Sequence, residues 1–155
     1  MVDLNSMFNK DLVFTEIKVD DKFSFFRLAA DTLNALDYVE DTFGEALKER
    51  EKNYPTGLNL GDFGIAIPHT DSIHVKKQFI SVFKLNEAIS FTQMGTDDEV
   101  VEAKYIFVLG IKDPKSQVEY LSSLISLLTN PDFLEALSNA ETKQDINEIL
   151  SRTFD

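Results

Sequence analysis

Lys104-Tyr105-Ile106-Phe107-Val108-Leu109-Gly110-Ile111 decides the architecture. From Tyr105 onward every position is apolar, so a strand here has no face to offer to water. Such strands lie inside a sheet covered on both sides. Working outward, residues 12–19 read as a further strand with Val13, Thr15, Ile17 and Val19 on one face. Residues 63–67 and 79–85 read as two more, with a short extended piece at 88–91. Residues 22–36 have helical periodicity, with Phe23, Phe26, Ala30 and Leu33 as the apolar face, and 40–53 form a second helix stopped before Pro55. After the central strand, Asp113-Pro114 caps and opens a helix reaching Leu128. Asn130-Pro131 repeats the device, and Thr142 with Asp145 resembles a capping box. The expected order is β-α2-β3-α3, an α/β three-layer α/β/α sandwich over a mixed sheet. With no repeat, low-complexity segment or linker, one domain is expected over residues 1–155.

The composition narrows the function. The chain holds 27 acidic against 15 basic residues, a formal net charge of −12. Binding nucleic acid needs clustered cations, so nucleic acid is not expected as a partner. An acidic surface serves solubility or steers a basic protein partner. The absence of cysteine removes disulfides, thiol nucleophiles and thiolate metal sites, which suits a reducing cytoplasm. No apolar run approaches a membrane span, and the first residues lack a signal-peptide pattern. The 13 phenylalanines read as core, some of them bordering a docking site.

Two histidines, His69 and His74, are the first candidates for chemistry near neutral pH. His69 ends Gly64-Ile65-Ala66-Ile67-Pro68-His69, an apolar strand halted by proline, and so emerges at the strand's C-terminal edge, where open α/β sheets place ligands. Arg50 stands on one helical stripe with Phe43, Ala46 and Leu47, either snorkelling at a helix end or turned inward to hold an oxyanion. The loop Tyr54-Pro55-Thr56-Gly57-Leu58 offers the Thr56 hydroxyl. Gln117 lies in the first turn of the helix after the central strand. If the strands ending at Ile67 and Ile111 are parallel, Gln117 and His69 meet at one edge, with the helix's free N–H groups beside them. His74 is a surface loop residue or an aid to the site. A zinc cluster of His69, Asp71 and His74 lacks a recognised ligand spacing.

Leu47-Lys48-Glu49-Arg50-Glu51, then Pro55-Thr56-Gly57-Leu58, then Gly64-Ile65-Ala66-Ile67-Pro68-His69, and later residues 107–117, together resemble the enzyme IIA components of the sugar phosphotransferase system (PTS), fructose and mannitol type. The resemblance covers nearly the whole chain. It implies that His69 is the phosphorylated nucleophile, with Arg50 stabilising the phosphate. It also implies phospho-HPr as donor, a cysteine of an enzyme IIB as acceptor, and the membrane enzyme IIC as an indirect partner. No metal or organic cofactor is called for. Thr70 follows His69 where those branches usually carry a small residue, and Gln117 stands where they often carry a second histidine. Both departures resemble the galactitol-type branch. The alternatives are a regulatory module in which His69 phosphorylation is a signal, and a metal-dependent hydrolase using His69 and His74.

Overall fold

A computed structural model describes residues 4–61 and 63–153. The strands are β1 (Phe8–Ile17), β2 (Gly57–Asn59), β3 (Gly64–Ala66), β4 (Phe79–Thr92) and β5 (Val100–Gly110). The helices are α1 (Lys22–Ala35), α2 (Phe43–Asn53), α3 (Gln117–Leu128), α4 (Pro131–Asn139) and α5 (Lys143–Thr153). The sheet runs β1-β4-β5-β3-β2. The pairs β1·β4 and β3·β5 are parallel, while β4·β5 and β2·β3 are antiparallel.

β5 sits inside the sheet, and its residues Tyr105 to Gly110 are all buried. Its side chains alternate between two cores. Tyr105, Phe107 and Leu109 pack with Leu124, Leu137 and Ile146 of α3, α4 and α5, and Ile106 and Val108 pack with Phe25, Phe26, Phe43 and Leu47 of α1 and α2. This is the expected three-layer sandwich. The second core is rich in edge-on aromatic pairs, among them Phe25–Phe83, with centroids 5.0 Å apart at 90°.

Several boundaries move, each for a local reason. One strand is added: Gly57–Asn59, expected as a Thr-Gly turn and loop, is β2. A Cβ at Gly57 would stand 2.6 Å from the carbonyl oxygen of Thr92, so glycine is required by close approach. The pieces at 79–85 and 88–91 are one strand, β4, with a register shift between Lys84 and Ile89. In β1 the expected single face is broken. Val13 belongs to the α3–α5 core, whereas Ile17 and Val19 pack on the other, because Glu16 takes φ 59° at a register shift. The buried face of α1 is Phe25, Phe26, Ala29 and Leu33, and Phe23 is 41% exposed. Three phenylalanines within four positions support either phase of a 3.6-residue period.

The caps follow the sequence. Asn130 accepts from the N–H groups of Asp132 and Phe133, and Thr142 and Asp145 bond reciprocally. Asp113 caps a short 3₁₀ turn, Pro114–Ser116, from which α3 begins.

Candidate active site at the edge of β3 and β5

Pro68 interrupts the β3 ladder, but pairing does not end there as expected. Leu109 N–H donates to the Pro68 carbonyl at 3.1 Å, and His69 pairs with Leu109 in an isolated parallel bridge. A proline without its N–H can still accept, so His69 is fixed against the central strand. His69 is 6% exposed. Its Nδ1 lies 2.9 Å from the Ile67 carbonyl oxygen. That oxygen can only accept, so the proton is assigned to Nδ1, and Nε2 of the neutral ring keeps its lone pair. Burial pushes the imidazole below 6.5, with the Arg50 charge adding to the shift; the Ile67 bond and the Asp71 carboxylate oppose it. The arrangement presents a neutral nitrogen nucleophile at pH 7.

The next segment is stapled to the α1–α2 connection. Val75 bridges Val39, and Glu40 N–H donates to the His74 carbonyl. Lys112 Nζ donates to the Val75 carbonyl at 2.8 Å. His74 does not join His69: its Nδ1 is 2.7 Å from the Thr42 hydroxyl. Among the described residues no three His, Cys, Asp or Glu side chains converge on a possible metal position, so His69, Asp71 and His74 form no zinc cluster.

Arg50 leaves the core stripe expected for it. On α2 the buried positions are Phe43, Leu47 and Glu51, and the Arg50 side chain, 30% exposed, lies at the margin. Its Nη1 pairs with Asp71 Oδ1 at 3.2 Å, and its guanidinium carbon is 5.2 Å from the Tyr54 ring centre. Among the described residues, Arg50 Nε is buried with no hydrogen-bond partner. A cavity of about 250 Å³ lies beside these groups, lined by Arg50, Tyr54, Thr70, Asp71 and His74. A larger groove of about 870 Å³, between β1 and α5, is three strand positions away from β3.

Gln117 does reach the His69 loop, because β3 and β5 are parallel. Its Nε2 is 3.5 Å from the Thr70 carbonyl, a long contact. The N–H groups expected free at the start of this helix are partly used. Lys115 N–H donates to the Asp113 carboxylate, and Ser116 N–H donates to the Asp113 carbonyl. Thr56 is 2% exposed, and its hydroxyl and N–H both donate to Glu51, at 2.7 and 2.8 Å. The hydroxyl that the loop was expected to offer thus gives its proton to Glu51 within the fold. Glu51 is the residue that sequence reasoning missed. The available signal was a carboxylate in phase with Phe43 and Leu47, five residues before a threonine.

Comparison with known proteins bears on the chain as a whole. A model of the family "Phosphoenolpyruvate-dependent sugar phosphotransferase system, EIIA 2" matches residues 6–153. The PTS system galactitol-specific EIIA component of Escherichia coli (strain K12) is 35% identical over 99 residues, 64% of this chain and 65% of that protein's length. The match thus spans just under two thirds of that relative. The PTS system fructose-specific EIIA component of Haloferax volcanii is 30% identical over 111 residues, covering 72% of this chain and 69% of its own. Among solved structures, the IIA mannitol enzyme of Escherichia coli, in complex with its phosphorylated IIB enzyme, superposes with TM-score 0.75. It is 22% identical, covering 94% of this chain and 99% of that one.

Proposed function

The chain belongs to the EIIA 2 family of the phosphoenolpyruvate-dependent sugar phosphotransferase system, and from that premise we propose that it carries a phosphoryl group on His69. The donor is phospho-HPr, and the acceptor is a cysteine of an enzyme IIB. Uptake is through the membrane enzyme IIC, and the substrate is a sugar or polyol of galactitol type. The carrier works in the cytoplasm; among the described residues no helix is long and apolar enough to cross a membrane.

One observation carries the reading: a buried imidazole with Nδ1 bonded to the Ile67 carbonyl and Nε2 left as a base, beside the Arg50 charge. In the first step the Nε2 lone pair forms an N–P bond to the donor's phosphoryl group. The donor's own N–P bond breaks, and its electron pair stays on the donor imidazole. The Nδ1–H bond to Ile67 stabilises the charge that arises on the His69 ring. In the second step a thiolate sulfur of IIB attacks phosphorus, and the His69 N–P bond breaks with its electrons returning to Nε2. Such transfers depend on positioning and charge stabilisation. The Arg50 guanidinium, with Nε unpartnered among the described residues, supplies charge for the equatorial oxygens. Gln117 holds the loop carbonyl of Thr70 and tunes the same edge. The mannitol relative's complex with IIB supports IIB as the acceptor, and the galactitol-specific relative supports the substrate class.

The test is reconstitution with phosphoenolpyruvate, enzyme I and HPr, read by intact mass and peptide mapping. One phosphoryl group on His69, absent in His69→Ala, is expected. Phosphate mapped to His74, or full labelling of His69→Ala, would remove the proposal.

A further inference from the structure

We propose that Glu51 is a positioning residue for His69, acting through Thr56 and Ile67; this rests on reading His69 as the phosphoryl acceptor. Four hydrogen bonds make the chain. Glu51 Oε2 accepts the Thr56 N–H at 2.8 Å, and Oε1 accepts the Thr56 hydroxyl at 2.7 Å. The Thr56 carbonyl accepts the Ile67 N–H at 3.2 Å. The Ile67 carbonyl accepts from His69 Nδ1 at 2.9 Å. The linkage is mechanical. Each residue is entered and left through different peptide units, so it passes position along and gives no continuous path of polarisation.

The placement of the carboxylate argues for this task. Glu51 is 3% exposed, and among the described residues no lysine or arginine lies within ion-pair distance of it. A buried carboxylate without a cation costs stability, and an apolar side chain would serve the core better. Burial drives its carboxyl up to about 6, against the Thr56 bonds and the charge of Lys22. What the carboxylate adds is direction: two oxygens fix both the backbone and the hydroxyl of Thr56, at the start of β2. Pro68 has no N–H to give, so the Ile67–Thr56 bond is the attachment to the β2 side nearest His69. If Thr56 shifts, Ile67 shifts, and the carbonyl that selects the His69 tautomer moves with it.

The experiment is nitrogen-15 NMR of the imidazole in unphosphorylated protein, paired with the rate of phosphorylation by phospho-HPr. Wild type should show the proton on Nδ1. Thr56→Val, nearly isosteric, removes the hydroxyl bond. In folded protein it should shift His69 toward the Nε2–H tautomer and slow phosphorylation about tenfold, since sub-ångström misplacement of a reacting group is costly. Thr56→Ser should restore both. A Thr56→Val protein that melts lower but keeps wild-type ring shifts and rate would overturn the proposal, leaving the pair a purely stabilising contact. Should Thr56→Val not fold, Glu51→Gln is read the same two ways. It retains an acceptor and a donor for Thr56, so a smaller tautomer shift with slower transfer is expected, and wild-type values in both overturn the idea. The spectra need no phosphoryl transfer. A wild-type ring with the expected tautomer that takes no phosphate would therefore sink the function and leave the positioning result standing.

Discussion

Arg50 gives one guanidinium nitrogen to Asp71 and keeps Nε unpartnered among the described residues, so its charge is held in place but not used up. Arg50→Ala should slow phosphorylation by about 100-fold or more, the scale of losing a preorganised charge stabiliser. Arg50→Lys should recover only part, because a point charge replaces a planar fork. Gln117→Leu removes one long bond and should cost only several-fold. Stopped-flow transfer on variants checked for folding ranks them, and a reversed order would demote Arg50 to a helix-end charge. Glu51 yields a separate test in stability. Its carboxyl rises from 4.5 to about 6 on folding, so the folded state binds that proton more tightly than the unfolded chain. Stability from this group is therefore full below about 4.5 and falls by roughly 2 kcal/mol as pH rises through about 6. His69 has the opposite sign. Its folded value is below 6.5, so stability is lost as pH falls through the folded value. Comparison with non-titrating Glu51→Gln isolates the first effect. The stability of wild type relative to the variant should be greater at pH 4.5 than at pH 7.5 in urea titrations, and a pH-independent difference would refute the raised carboxyl.

At the scale of elements, β1 holds a left-handed residue inside a strand. Glu16, exposed at φ 59°, marks the point where the strand exchanges one core for the other. Glu16→Gly should relieve backbone strain at no packing cost. The net gain should be on the order of 0.5 kcal/mol after glycine's larger unfolded-state entropy is subtracted, measurable by denaturant unfolding. A loss of stability would show that the Glu16 side chain does more than its exposure indicates. This bulge also explains what could be read in advance. Elements with a strong period or cap were legible: the apolar run of β5, the Asn130-Pro131 start of α4, and the Thr142–Asp145 box. The three-residue β2 was not, because Gly57 is fixed by Thr92, far along the chain, and local propensity carries no trace of that contact. The site was legible in part. His69 lies just past β3, as the proline in its strand implies, but stays paired to Leu109, while Arg50 falls one position off the buried stripe, which Glu51 occupies instead. The sequence offers the Thr56 hydroxyl near Arg50 but carries no local mark of its partner. Only the packed structure reveals the buried carboxylate that takes it.

For the whole molecule, the formal charge of −12 is expected to steer a basic partner. Transfer from phospho-HPr should slow as salt rises over roughly 0.05 to 0.5 M, since steering fades as the Debye length shortens. A rate indifferent to salt would assign the charge to solubility alone. The sheet order has a consequence in time as well as in space. β4·β5 and β2·β3 join strands adjacent in sequence, whereas β1·β4 brings Leu12 to Ser81 across 69 residues, and β3·β5 spans the whole of β4. Loop-closure entropy favours the near pairings first. The β4·β5 hairpin is thus the natural folding nucleus, and the seam that grips His69 against Leu109 closes late. Along that seam, amide exchange measured by hydrogen–deuterium exchange should be fastest among the buried strands, so His69 would be mounted on the part of the sheet that opens with least loss of the rest.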